Sequence, residues 1–354
     1  MNNMIEQLLP DNIANLKAYS SAKSEKITGT TWLNANESPF SRTINLSLDS
    51  LNRYPEPQPE AVIQGYADYA QLSTQNVLMT RGADEGIELL IRTFCQPKQD
   101  SITIFLPTYG MYKVTADSHD VKINALTQLE LQTGSVAALV KEIGSSKLVF
   151  ICNPNNPTGE MVSIERIKAI SAQLGSKTLL VVDEAYIEFC PEQSAVSLID
   201  ELSNVIVLRT LSKAFALAGL RCGFTLSRPE ILAPIRKVIA PYPVSSVVAN
   251  IAEQALQPQA INTMREQVSE LNQLKQDLVS RCQQSRAIER VLSGEGNFVT
   301  VKLAKRSVLS IAQEMGLIMR PFTLFGQDDW LRISIGSQAE LNQVTIWLDA
   351  INQQ

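Results

Sequence analysis

Lys213 stands in a stretch, V-I-V-L-R-T-L-S-K-A-F-A-L-A-G-L-R-C-G (205–223), that is otherwise nearly uncharged. It follows a β-branched run and lies between Ser212 and the apolar string Ala214 to Ala218. Loss of water disfavours an ammonium and lowers its pKa. The neutral amine is the form that makes a Schiff base with an aldehyde. Arg209 and Arg221 flank the lysine and can bind an anion. A reactive amine beside an arginine-held anion suggests pyridoxal 5′-phosphate. A buried or turn lysine without chemistry is the plainer alternative.

Other polar groups recur at comparable places. Asp183 ends L-L-V-V-D. A carboxylate there can cap a turn, or it can pair with a pyridinium nitrogen and keep that ring an electron sink. Asn153-Pro-Asn-Asn-Pro-Thr-Gly159 follows L-V-F-I-C. Its prolines and asparagines force an irregular loop, from which Asn156 can aim its amide at a ring oxygen. Gly82-Ala83-Asp84 is expected just before a helix that begins at Glu85. Free N–H groups and the helix dipole favour a phosphate there, although an ordinary aspartate cap reads the same way. Tyr109, in P-T-Y-G, is either core or a face on which a planar ring stacks. Singly each is ambiguous. Together they supply a phosphate cradle, a stacking ring, an amide, a carboxylate and a lysine.

The elements that must position these residues are legible as short apolar runs. Val77–Thr80, Ile102–Leu106, Leu148–Cys152, Leu179–Asp183, Val205–Thr210 and Gly223–Leu226 read as strands. Asp84–Cys95 reads as a helix with Ile87, Leu90, Ile91 and Phe94 on one face, and Ile164–Leu174 reads likewise. Such alternation predicts a mostly parallel sheet covered by helices on both faces. Ligands of such sheets bind beyond the carboxyl ends of the strands. From about Val244 a Gln-rich helical region runs to about Ile288. Strands at Phe298–Leu303, Leu317–Arg320 and Leu331–Ile335 follow, with helices near Val308–Met315 and Glu340–Ile351. The expected organisation is an N-terminal arm (1–30), a large domain (31–245) and a smaller α/β domain (246–354).

Composition narrows the function. The chain has 354 residues, 45% hydrophobic and 19% charged, ample for two cores. A net charge of -5 argues against nucleic acid as a partner. Apolar runs are too short to span a membrane, and the start, Met1 to Asn12, has no secretory pattern. Five scattered cysteines without a C-x-x-C pair suit a reducing cytoplasm. A single histidine, His119, excludes multi-histidine metal sites, and no metal is expected. His119 lies between Asp117 and Asp120, which reads as a surface loop. Carbonyl chemistry must therefore rest on lysine or on a cofactor.

The quoted runs, with L-N-A-N-E-S-P (33–39), R-Y-P-E-P-Q-P (53–59), R-G-A-D-E-G-I-E-L-L (81–90), P-T-Y-G-M-Y (107–112), D-E-A-Y-I-E-F (183–189) and L-R-I-S-I-G (331–336), span nearly the whole chain. This pattern resembles the fold-type I pyridoxal-phosphate enzymes, the aspartate aminotransferase superfamily, and within it the histidinol-phosphate branch. The resemblance implies that Lys213 carries the covalent link to the cofactor and that Asp183 pairs with the ring nitrogen. Asn156 and Tyr186 would hold the ring hydroxyl, and Tyr109 would stack on the ring. Gly82, Ala83, Asp84, Ser212 and Arg221 would bind the phosphate. Tyr54 would reach the cofactor of a neighbouring subunit, which implies a homodimer with shared sites. Arg332 would hold a substrate carboxylate, and Arg320 a substrate phosphate. The implied reaction is transamination between histidinol phosphate and 2-oxoglutarate, giving glutamate, in histidine biosynthesis. Rivals are an aromatic aminotransferase, a pyridoxal-phosphate-dependent phospho-amino-acid decarboxylase, and a non-catalytic sensor, for whose added DNA-binding module the residues before the large domain are too few.

Overall fold

A computed structural model describes residues 2–19, 28–46 and 51–353. Residues 1 and 20–27 of the expected N-terminal arm lie outside the described residues. Among the described residues, twelve strands form two sheets. They are β1 (Thr31–Leu33), β2 (Val77–Thr80), β3 (Ser101–Leu106), β4 (Lys122–Thr127), β5 (Leu148–Cys152), β6 (Leu179–Asp183), β7 (Val205–Thr210), β8 (Gly223–Ser227), β9 (Ile288–Leu292), β10 (Phe298–Leu303), β11 (Leu317–Leu324) and β12 (Gln327–Ser334).

The first sheet has the order β2-β8-β7-β6-β5-β3-β4. Only β8 runs against the others. The apolar runs are continuous because both faces are covered. On β7, Val205 and Val207 join one core cluster while Ile206 and Leu208 join the other. On β6, Leu180 and Val182 separate from Val181 in the same way. A side-chain period of two produces that split. The helix Gly82–Phe94 lays Ile87, Leu90 and Ile91 on the second cluster, with Phe94 partly buried beside them.

The second sheet has the order β1-β11-β12-β10-β9. The long helix Pro258–Gln284 and the closing helix Gln338–Ile351 cover it. Trp347, fully buried, donates its indole N–H to the Val308 carbonyl at 3.2 Å.

Several elements differ from the sequence reading. The helix expected at Glu85 begins at Gly82, because Gly82 turns the chain with φ +79° and leaves Ala83 and Asp84 in the first turn. The strand expected to end at Arg320 continues through Pro321 to Leu324 and folds back into β12. Phe325 and Gly326 make the two-residue turn, both at positive φ, which matches the twist of an antiparallel pair. Thr31–Leu33, expected to open the large domain, pairs in parallel with β11 of the C-terminal sheet. Edge strands β4 and β9 carried too little apolar alternation to be read as strands.

Candidate active site

The carboxyl ends of β3, β5, β6 and β7 converge on a cavity of about 520 Å³. Lys213, Asp183, Asn156, Tyr109, Tyr186, Ala83, Asp84, Ser212, Arg221 and Arg332 all line it. Residues from separate segments of the chain thus face one space, most of them beyond strand ends of the parallel sheet and Arg332 from the second sheet.

Lys213 lies three residues beyond β7, past the close-packed turn in which the Ser212 N–H donates to Thr210 Oγ1 at 3.1 Å. Its Nζ donates to the Ala35 carbonyl at 2.9 Å and lies 5.6 Å from the centre of the Tyr186 ring. Burial, reinforced by the positive charge of Arg332, pushes its pKa down to about 8. Glu37 and Asp84 oppose that shift.

Asp183, the last residue of β6, is buried. Tyr112 Oη donates to its Oδ2 at 2.7 Å, and the Ala185 N–H to its Oδ1 at 3.2 Å. Burial raises its pKa to about 6 against those two hydrogen bonds. Such a carboxylate gains most from a cation placed opposite it. Three residues on, the buried Tyr186 hydroxyl receives the side-chain amide N–H groups of Asn36, at 3.0 Å, and Asn156, at 3.4 Å. Burial raises the Tyr186 pKa.

At the opposite end the helix Gly82–Phe94 points its N-terminus into the cavity. Arg221 bridges Asp84 Oδ2, at 3.2 Å, and Ser212 Oγ, at 3.3 Å. A Cβ on Gly82 would lie 2.8 Å from Arg221 Nη2, so glycine alone lets the guanidinium approach the helix start. Tyr109 donates its hydroxyl to Asp84 Oδ1 at 2.9 Å and presents its ring to the cavity.

Arg332 reaches in from β12. Its Nη1 donates to Asn156 Oδ1 at 2.5 Å and its Nη2 to the Asn34 carbonyl at 2.8 Å. Its Nε is buried and without a hydrogen-bond partner among the described residues. Arg320 is paired with Arg332 in the β11–β12 register, so the two share a face, but Arg320 does not line the cavity.

The expectations for Arg209 and His119 come out differently. Arg209, taken with Arg221 as an anion holder, points to the other side of the sheet. Alternation along β7 places it with Val205 and Val207, where its Nε donates to Glu184 Oε2 at 2.6 Å and its Nη2 to Ser194 Oγ at 2.8 Å. Tyr54 is 81% exposed and stacks on Tyr242 at 4.6 Å between ring centres, outside the cavity of its own chain. His119 is part-buried at the end of the helix Met111–Ser118, with Nε2 3.9 Å from Glu88 Oε1. The sequence reading also missed Tyr112, Asn36 and Tyr19. Tyr112 stands three residues after Tyr109, in the first turn of the helix Met111–Ser118. Asn36 sits at φ 53° within L-N-A-N. Nothing local marks Tyr19, which lines the cavity from the N-terminal segment.

The donor set fits pyridoxal 5′-phosphate end to end. A helix start with Arg221 and Ser212 suits its phosphate, Tyr109 its ring face, Asn156 and Tyr186 its hydroxyl, Asp183 its ring nitrogen and Lys213 its aldehyde. Among the described residues no cluster of histidine, cysteine, aspartate and glutamate could hold a metal.

Comparison with known proteins agrees. The family described as "Aminotransferase class I and II" matches residues 15–348. A histidinol-phosphate aminotransferase of Salmonella paratyphi B is 42% identical over 99% of this chain and 97% of its own length. Among solved structures, histidinol-phosphate aminotransferase from Sinorhizobium meliloti, in complex with pyridoxal-5′-phosphate, superposes with a TM-score of 0.85 at 24% identity, covering 98% of this chain and 97% of that one. L-threonine-O-3-phosphate decarboxylase from Porphyromonas gingivalis has a TM-score of 0.72 at 18% identity, covering 86% and 94%. The fold is thus shared by transaminase and decarboxylase, while the sequence relationship is far stronger on one side: the chain belongs to the class I and II aminotransferase family.

Proposed function

We propose that this protein transfers an amino group between histidinol phosphate and 2-oxoglutarate, using pyridoxal 5′-phosphate, in histidine biosynthesis. The observation that carries the reading is the single cavity in which Lys213, with its lowered pKa, faces a buried Asp183 and an arginine with an unused N–H. The near full-length relationship to enzymes named for this reaction supports the choice of substrate.

When bound, pyridoxal phosphate supplies an aldehyde for the amine and a ring that accepts electrons. The chain supplies the rest. Asp183, held by Tyr112 and the Ala185 N–H, would pair with the ring nitrogen and favour its protonated form. Asn156 and Tyr186 orient the ring through its hydroxyl. Lys213 Nζ, in its neutral form, would accept the proton from the substrate carbon that bears the amine and, as an ammonium, give it back on the far side of the transfer. With a pKa of about 8 it is roughly one-tenth neutral near pH 7, far more than an ordinary lysine would be. Arg332 presents its free Nε–H to a substrate anion, with Arg320 on the same face of the hairpin as a second cation. Histidinol phosphate brings a phosphate and glutamate brings carboxylates, and a guanidinium fork binds either.

The protein acts as a homodimer in this proposal, with Tyr54 serving the partner's cavity. Its exposure, away from its own cavity, supports that role. The proposed domains are residues 31–245 and 246–354, with β1 contributed to the second sheet, and the proposed location is the cytoplasm. No described helix is long and apolar enough to cross a membrane.

The test is product analysis with purified protein and cofactor. Histidinol phosphate and 2-oxoglutarate should give glutamate in equal amount to the histidinol phosphate consumed. Release of carbon dioxide from a phospho-amino acid, with no glutamate formed, would replace this reading with a decarboxylase.

A further inference from the structure

Lys275 is a buried lysine outside the cavity, on the helix Pro258–Gln284. It shares the buried stripe of Leu271, Leu274 and Leu278. An apolar residue would complete that stripe without the cost of desolvating an ammonium. The lysine therefore needs a reason, and its partners supply one. Its Nζ donates to the backbone carbonyls of Gly294, at 2.8 Å, and Gly296, at 3.2 Å. The Glu295 carboxylate lies 3.6 Å away, half-exposed. All three contacts fall on one short loop.

That loop touches both groups placed at the ring hydroxyl. The Glu295 N–H donates to the Gly159 carbonyl at 2.7 Å, and Gly159 closes the loop that carries Asn156. A Cβ on Gly294 would overlap the Gly159 carbonyl, so the two backbones meet without side chains between them. The next residue, Asn297, donates its Nδ2 to the Asn36 carbonyl at 3.0 Å. Asn36 in turn donates to the Tyr186 hydroxyl at 3.0 Å. Gly296 faces the same tyrosine: a Cβ there would lie 3.5 Å from Tyr186 Cβ.

We propose that Lys275 is a positioning residue for the transamination, holding the Gly294–Asn297 loop so that Asn156 and Tyr186 stay aimed at the cofactor's ring hydroxyl. The proposal rests on the reading that those two residues hold that hydroxyl. Donors aimed at an oxygen stabilise its anion and lower its pKa. Their effect weakens steeply as distance and angle depart from ideal. Lys275 acts only through the loop and touches neither cofactor nor substrate.

The experiment uses the cofactor-loaded enzyme. Lys275→Met keeps the apolar stem and removes the donors. The visible band of the bound cofactor is titrated with pH, and cofactor affinity is measured by dialysis. In Lys275→Met the midpoint should rise by about one pH unit and affinity should fall about fivefold, the scale of a lost hydrogen bond. Lys275→Gln, which keeps an N–H donor, should recover part of both. Gly294→Ala leaves Lys275 in place and drives the two loops apart. It should raise the midpoint likewise, which tests the loop, while Lys275→Gln reads the role of Lys275 if Lys275→Met does not fold. A parent midpoint and affinity in folded Lys275→Met, or in Lys275→Gln where Lys275→Met does not fold, with a shifted Asn156→Ala control, overturn the role of Lys275. If Asn156→Ala and Tyr186→Phe also titrate like the parent, the hydroxyl assignment falls and the proposal with it.

Discussion

Burial moves Lys213 and Asp183 toward their neutral forms, and the site uses the two shifts differently. Lys213 needs to be neutral to attack an aldehyde. Covalent attachment of pyridoxal phosphate to cofactor-free protein should therefore speed up as pH rises through about 8 and then level off. An unperturbed lysine would keep accelerating toward about 10.4. Stopped-flow absorbance across that range distinguishes the two, and Lys213→Ala should leave no turnover at all. Asp183 needs its charge, which burial opposes. Its folded pKa of about 6 stands above the unfolded value of 3.8. In the cofactor-free protein this group's contribution to stability is therefore greatest below pH 3.8 and is lost as pH rises through about 6. Asp183→Asn removes that loss. It should stabilise the cofactor-free protein at neutral pH, by on the order of 3 kcal/mol, while lowering the transamination rate at least about a hundredfold. Thermal melts at pH 5 and pH 7.5, beside single-turnover rates, check both halves.

At the scale of elements, the phosphate cradle depends on how the helix Gly82–Phe94 starts. Gly82 has a left-handed backbone and leaves no room for a Cβ beside Arg221. Gly82→Ala should combine backbone strain of roughly 1–2 kcal/mol with a displaced guanidinium. The expected outcome is cofactor binding weakened about tenfold, with the far-ultraviolet circular dichroism unchanged because the remaining turns of the helix keep their packing. Equilibrium dialysis and the spectrum test this together. The hairpin β11–β12 is the second decisive element. It carries Arg332 from the C-terminal sheet to the Asn156 loop, where two of its nitrogens are spent on Asn156 and Asn34. Arg332→Leu should damage both half-reactions by about 2–5 kcal/mol each if the guanidinium binds both substrates' anions. Separate half-reaction rates with glutamate and histidinol phosphate check it. Damage confined to glutamate would move the phosphate contact to Arg320.

At the scale of the whole molecule, the prediction concerns assembly. Tyr54 projects from a proline-rich segment, stacks on Tyr242 and contributes nothing to its own cavity. In the proposed dimer it serves the neighbouring one. Tyr54→Phe should then weaken cofactor binding severalfold and leave the dimer intact, as one lost hydrogen bond would. Sedimentation equilibrium with cofactor titration reads both, and an active monomer would refute shared sites.

The strand ends were legible in the sequence because a parallel sheet writes its strands as short, continuous apolar runs, and the polar residue after each run must face the ligand edge. Lys213, Asp183, Asn156 and Tyr109 were found that way. Side-chain direction was not legible at Arg209. It and Arg221 looked alike beside Lys213, and only the pairing of β7 with its neighbours sends one to Glu184 and the other to Ser212. Long-range partners were equally hidden. Tyr112 under Asp183, Asn36 on Tyr186 and Lys275 behind the Gly294–Asn297 loop are contacts between segments about 70 to 150 residues apart in two cases and about 20 in the third. Local sequence determines which backbone conformations and which chemical groups are available. Only tertiary packing decides which of those groups lose water, and it is that loss of water that shifts Lys213 and Asp183 toward their neutral forms.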